Sequence, residues 1–307
     1  MKVRLAKDSD IDGLLMLWNN SMKYDILSPE ILEEKIWDDP DFDPSLCFVV
    51  EHRTRIIALM MAVCRPENKP KLSYIKMCAV LPEFQKKGIG GRLLEEIEKR
   101  LVARGIESIR ICESAPNYLN PGLDARYTGA MVFFERHGYK RFNETWNLEV
   151  DLSKKNEKAK KAGAQKKVKD IKLGRAQKSD LKLVADLLEK EKMGSWLPEV
   201  KNGFANSPVS IFVARKDDKV MAFAGYDCNN KNTGWFGPML TDSTMRRAGI
   251  GGLLLHKCLD EFKKQGKHLA TIPWVGPIGF YVKNANAAIA RVFYRYEKKI
   301  NLPVGQL

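Results

Sequence analysis

The sequence predicts an α/β fold that is present twice. Three observations carry this. The stretch Gln85-Lys86-Lys87-Gly88-Ile89-Gly90-Gly91 is matched by Arg246-Arg247-Ala248-Gly249-Ile250-Gly251-Gly252. Each copy follows a short apolar run that reads as a strand (Tyr74 to Val80; Trp235 to Leu240). Each also precedes a run with helical spacing, Leu93, Leu94, Ile97 and Leu101 in one and Leu254, Leu255, Cys258 and Phe262 in the other. Finally, the surroundings recur at fixed offsets. Val3, Ala6, Ser9-Asp10 and Ile11 return as Leu173, Ala176, Ser179-Asp180 and Leu181 at an offset of 170. Gly88, Gly90, Gly91, Leu93, Leu94 and Gly105 return at 161, and Phe133 to Arg136 return as Phe280 to Lys283 at 147. Shrinking offsets are what unequal loops produce. A period of about 160 residues is too long for a solenoid, so a whole domain is duplicated, and 307 residues suit two domains of ~150 each.

Taken in order, Val3 to Ala6 reads as a first strand, and Ser9-Asp10 as the cap of a helix carrying Ile11, Leu14, Leu15, Leu17 and Trp18. Ser28-Pro29-Glu30 starts a second helix, with proline at its first position. Strands follow at Leu46 to Glu51, Arg55 to Cys64 and Lys71 to Val80. The helix after the first glycine turn ends near Arg104-Gly105, where glycine suits a left-handed cap. A strand at Glu107 to Cys112, a loop from Glu113 to Tyr127, a helix from Ala130 to His137 and an alternating strand through Val150 complete the first half. In the second half, strands read at Val209 to Arg215, Val220 to Cys228 and Trp235 to Leu240, with Ala290 to Tyr296 alternating like a last one that pairs with Arg141 to Leu148.

The net charge of +14 raises the question of a nucleic-acid partner, and its distribution answers it. Eight lysines stand against Glu157 and Asp170 in Ser153 to Asp170, a stretch without aromatics. That composition reads as a solvated linker, with no RNA-binding aromatic motif beside it. The expected organisation is therefore a domain at 1–152, a lysine-rich linker at 153–170 and a second domain at 171–307. The longest apolar run, Ile56 to Cys64, is too short to cross a membrane, and the N-terminus lacks the apolar centre of a signal peptide. Six cysteines fall mostly in apolar runs without any Cys-x-x-Cys, which suggests reduced core residues and a cytoplasmic location. No group of His, Cys and acidic residues has metal-ligand spacing, and no nucleophile elbow occurs.

A strand, a glycine turn and a helix start place free backbone N–H groups at the positive end of a helix dipole, which cradles a pyrophosphate. The spacing excludes two common cradles. Neither copy ends in Gly-Lys-Ser/Thr, and the dinucleotide fingerprint needs glycine where Leu93 and Leu254 stand. The remaining pattern, Gln/Arg-x-x-Gly-x-Gly after a strand, resembles motif A of the GNAT N-acetyltransferase superfamily. Val80-Leu81-Pro82 precedes the first copy, as in many of its members.

The resemblance implies two tandem GNAT domains, each a mixed, mostly antiparallel twisted sheet flanked by helices. It implies acetyl-CoA as the cofactor, its pyrophosphate held by Gln85, Lys86, Lys87, Gly88, Ile89, Gly90 and Gly91, and by Arg246, Arg247, Ala248, Gly249, Ile250, Gly251 and Gly252. A strand bulge in this family frees backbone donors for the pantetheine and the thioester oxygen, here in Cys78-Ala79-Val80 and Met239-Leu240-Thr241. The expected activity is direct acetyl transfer to the amine of a small-molecule or peptide acceptor. A tyrosine on the helix after the fifth strand often protonates the departing thiolate. Tyr281 holds that place, while its counterpart Phe134 has no proton to give; Tyr294, Tyr118 and Tyr127 are alternatives. For the general base, Glu113 is the first candidate and Asp124, Asp227 and His268 are others, or a water relay replaces them. Two rival readings stand beside this: a CoA-binding scaffold without chemistry, and a tRNA-dependent aminoacyl transferase. The complete turns count against the second rival.

Overall fold

A computed structural model describes residues 1–65, 71–154 and 170–300. The lysine-rich stretch at 153–170 lies almost wholly outside the described residues. So does the end of the second domain. The chain forms two compact units, Met1–Thr145 with the chain from Phe293 on, and Trp146–Val292.

The first unit is built on β1 (Lys2–Leu5), β2 (Cys47–His52), β3 (Arg55–Cys64), β4 (Leu72–Val80) and β5 (Ser108–Ile111). β1 to β4 pair antiparallel in sequence order, and β5 adds in parallel to β4. β3 is buried from Ile56 to Val63, as a central strand covered on both faces must be. Helices α1 (Ile11–Ser21), α2 (Pro29–Lys35) and α3 (Ile89–Ala103) supply Leu14, Leu32, Leu93, Leu94, Ile97 and Leu101 to this core. Each such side chain contributes ~1.5–3 kcal/mol on burial. Ser28 caps α2 as its sequence suggests, accepting from the Ile31 amide at 3.3 Å. Asp10 works in the opposite direction to a helix cap: it accepts from the Lys7 amide at 2.9 Å and binds Arg4 at 2.7 Å. Asp180 repeats this with the Gln177 amide and with Arg215.

The short strand β6 (Leu123–Asp124), α4 (Thr128–Arg136) and β7 (Lys140–Asp151) follow. The rest of the chain repeats the element order: β8 (Lys172–Arg175), α5 (Leu181–Lys190), α6 (Leu197–Ala205), β9 (Ile211–Lys216), β10 (Lys219–Tyr226), β11 (Phe236–Thr241), α7 (Ile250–Lys264), β12 (Leu269–Ile272), α8 (Ile278–Ala285) and β13 (Ala288–Lys299). The second unit's sheet is formed by four of these strands. It runs β11-β10-β9-β8, all antiparallel. The first sheet is thus mixed and mostly antiparallel, the second is antiparallel, and both are flanked by helices.

The units part company with the sequence-read limits of 152 and 171 at the strands that close them. β13 pairs with β5 (Glu297↔Arg110, Lys299↔Ser108), so the last strand of the chain completes the first unit. The end of β7 pairs with β12 (Leu148↔Ile272, Asp151↔Leu269), within the second unit. Among the described residues no helix is long and apolar enough to cross a membrane.

Candidate functional site

Both glycine turns have one backbone path. A 3-10 turn (Pro82–Phe84; Ser243–Met245) leads to an extended residue, Gln85 or Arg246. Lys86 at φ +57° and Arg247 at +68° follow, and then Gly88 at +78° and Gly249 at +86° start α3 and α7. Two left-handed residues separated by one position turn successive amides toward one side, and the first helical amides add to them. Nothing stands within 4 Å of the place a Cβ on Gly88 would occupy, so that side of the first turn is open. Gln85 Nε2 donates to Val80 O at 2.9 Å, and Arg246 Nε donates to Thr241 O at 3.4 Å, so both side chains staple the turn to the strand before it. Gln85, Lys86, Lys87, Gly88, Arg246 and Arg247 are exposed, while Ile89 and Ile250 are buried as helix anchors.

The strands entering the turns carry bulges at matching positions. Between Met61↔Met77 and Ala62↔Ile75, Lys76 is the extra residue of β4. Between Ala224↔Met239 and Tyr226↔Phe236, β11 has the two residues Gly237 and Pro238 against Gly225. Each bulge lies just before the stretch expected from the sequence, Cys78-Ala79-Val80 or Met239-Leu240-Thr241. The neighbouring strand separates at the same place. β5 pairs with β4 only as far as Ile75↔Ile111, and β12 meets the start of β11 at one bridge, Trp235↔Thr271. Beyond these points Cys78 to Val80 and Met239 to Thr241 pair on one side alone among the described strands. An extended ligand chain has a free strand edge there.

The glycines inside each helix start accept a second helix at close range. A Cβ on Gly90 would lie 3.3 Å from the Phe133 ring on α4, and one on Gly251 would lie 3.4 Å from the Phe280 ring on α8. The next pair, Gly91 and Gly252, face His137 and Asn284. This packing sets Phe134 and Tyr281 at equivalent places. Phe134 is wholly buried between Phe133 and Tyr139. Tyr281 is 8% exposed, edge-on to Phe236 and Phe280, and its hydroxyl has no hydrogen-bond partner among the described residues. Burial pushes that phenol up to about 12, so it is protonated at neutral pH. Of the other tyrosines, Tyr127 gives its hydroxyl to Asp25 at 2.8 Å, and Tyr294 lies under the Arg141 guanidinium at 3.6 Å.

Three of the four candidate bases are engaged elsewhere. Glu113 is 1% exposed and accepts from Arg295 at 2.6 and 2.9 Å and from Arg110 at 3.2 Å. Asp124 is held by Arg126 at 2.8 and 2.9 Å. Asp227 accepts from the Asn232 amide, and burial raises its pKa, while His268 is on the surface. The structure also reveals a group that the sequence reading overlooked. Lys76, the bulge residue, is buried against Asp39, which Arg65 grips at 2.5 and 2.8 Å. Nearby, Lys35 binds Glu34 at 2.6 Å and Asn117 at 2.8 Å. Burial lowers Lys76 to about 7, against the pull of Asp39. A lysine amid Tyr74, Ile75, Met77 and Cys78 was the available signal.

Comparison with known proteins agrees with this geometry. The model of the acetyltransferase (GNAT) family matches residues 15–121 and 181–285, together more than half of the chain. The chain belongs to the GNAT acetyltransferase family, with one copy of the fold in each half. It is similar to the GCN5-related glucosamine N-acetyltransferase region of a fungal multi-domain GH3 beta-N-acetylglucosaminidase (TM-score 0.77, 18% identity). That match covers 96% of this chain and 38% of the longer protein. A tandem GNAT protein from the clavulanic acid biosynthesis pathway matches at TM-score 0.69 and 12% identity, over 97% of this chain and 98% of its own. A GCN5-related N-acetyltransferase from Sphaerobacter thermophilus matches at 0.67 and 16%, over 97% and 95%. At these identities the likeness is one of fold.

Proposed function

We propose that the chain is an acetyl-CoA-dependent N-acetyltransferase that moves the acetyl group directly to an amine. The observation that carries this is the pair of matching sites, each joining a turn of left-handed residues to a free strand edge. Acetyl-CoA supplies an activated thioester. Lys86 to Gly91 and Arg247 to Gly252 hold its pyrophosphate with helix-start amides. Cys78 to Val80 and Met239 to Thr241 pair with the extended pantetheine and offer donors to the thioester oxygen. Tyr281, protonated and free of partners, gives a proton or hydrogen bond to the departing sulfur. Glu113 is poorly placed to act as the base, because Arg295 and Arg110 already occupy both of its oxygens. Water is the better carrier of the amine's proton, and Glu113 then fixes the end of β5.

The capture of Glu113 and Asp124 by arginines favours a second reading for that half, a coenzyme-holding domain that braces the other. The test is acetyl-CoA consumption by the full chain against aminosugars, polyamines, amino acids and peptides. Glucosamine comes first, because one structurally similar region is named for it. Turnover with one class supports transferase activity. Stoichiometric CoA binding with no turnover across all classes replaces it with the scaffold reading.

A further inference from the structure

We propose that the two turns are unequal sites for the coenzyme and that Glu191 weakens the second. This rests on the reading that both turns take CoA. Glu191 ends α5 and brings its carboxylate onto the second turn. Oε2 accepts from Arg246 at 2.7 Å, and Oε1 accepts from the Ser243 amide at 2.8 Å. The Glu191 side chain is 8% exposed at this contact and its partner Arg246 is on the surface, and the Ser243 amide holds the carboxyl pKa below the usual range. It is therefore a fixed negative charge beside a site built for a pyrophosphate. Lys190 adds to the attachment through Asp242 at 2.5 Å.

The first turn cannot make this contact. The residue matching Ser243 is Pro82, which has no amide proton, the one matching Arg246 is the neutral Gln85, and the one matching Glu191 is Ser21. Its cations also keep their charge unneutralised, although Lys87 donates to Glu83 O at 2.8 Å. Lys86, Lys87 and Arg92 have no carboxylate partner among the described residues, whereas in the second turn Arg246 is neutralised and Arg247 alone is left. A phosphate entering the first turn meets three cations that no carboxylate neutralises among the described residues. One entering the second meets a single free cation and a fixed carboxylate. The charge difference predicts tight binding at the first turn and weaker binding at the second.

The experiment is calorimetric titration of the full chain with CoA. The surface pair Lys86→Glu/Lys87→Glu weakens the first turn, so the second is read by itself. In that background Glu191→Gln keeps an acceptor for the Ser243 amide but removes the charge. The expected result is CoA binding about two- to fivefold tighter, the scale of one partly exposed charge pair. The double change Glu191→Gln/Arg246→Gln copies the first turn's Gln85 and should keep at least part of the gain. Unchanged or weaker binding in both variants overturns the proposal and makes Glu191 a brace. Absence of CoA binding in the unaltered chain overturns the reading of the turns themselves, and this inference with it.

Discussion

The two halves repeat one backbone and differ in the charges and hydroxyls attached to it. Gly88 and Gly249 start their helices at φ +78° and +86°, and Tyr74↔Arg110 in one half is Trp235↔Thr271 in the other. Around this shared frame, the first half places a buried lysine at its strand bulge, a phenyl ring behind its turn and three cations without carboxylate partners on it. The second places glycine at the bulge, a phenol behind the turn and a carboxylate against it. Helix starts and strand register depend on backbone and packing, which a duplicated domain keeps. Single side chains at the same frame positions are free to change. The comparison suggests that the halves have divided the work, the first favouring coenzyme affinity and the second proton donation.

The sharpest way to break that division is to exchange the ring behind each turn. Tyr281→Phe removes the only chemical difference at that position, and turnover should fall ~100- to 10,000-fold, the usual worth of a general acid. The protein should stay folded, since the ring keeps its contacts with Phe236 and Phe280. Steady-state kinetics on Tyr281→Phe beside Tyr127→Phe measures it. Full activity in the first and collapse in the second would move the chemistry to the first half.

What was legible in the sequence follows from the same contrast. The turns, their strands and their helices were readable because glycine at a left-handed position and apolar residues at helical spacing are local requirements. The pairing of Phe133 with Phe280 was readable from the constant offset. The exchange of closing strands was not. β7 and β13 have the same alternating pattern, so neither encodes which sheet it joins. The shielding of Glu113 was also hidden, since Arg295 lies 182 residues away. Glu191 carried no local mark, being one more acidic residue at the end of a helix.

A second comparison concerns the bulges. Asp39→Asn would leave Arg65 and Lys76 as buried cations without their shared anion. Breaking a pair of this kind costs ~3–5 kcal/mol. Among the described residues the first half alone has this cluster, with Gly237 standing where Lys76 does, so denaturant unfolding should show the loss in a transition reported by the first unit. The pH dependence has a definite sign. Lys76 is depressed to about 7 in the folded chain, so between there and its ordinary value near 10.5 the unfolded chain binds more protons. Its contribution to stability is present above the upper value and is lost as pH falls through the lower one. Lys76→Met should flatten the stability curve across that window. An unchanged slope would mean that Lys76 stays charged when buried.

The smallest effect tests the packing at the helix starts. Gly91 and Gly252 are equivalent, and glycine in a helix gives up as much as ~1 kcal/mol to alanine through chain entropy. The surroundings decide whether that gain is realised. At Gly91 a new methyl would meet His137 Nε2 at 3.4 Å, an ordinary contact. At Gly252 it would meet Asn284 Oδ1 at 2.7 Å, too close to stay. Asn284 cannot move without cost, because its amide donates to Phe280 O at 2.8 Å. Gly91→Ala should therefore raise stability by about 0.5 kcal/mol, a fraction of the interior value because the site is in the first turn. Gly252→Ala should lower it by a similar amount, since the overlap displaces a hydrogen-bonded side chain. Urea denaturation without coenzyme separates the two signs. Equal stabilisation by both would show that Asn284 swings aside freely, and that the second helix pair is looser than the first.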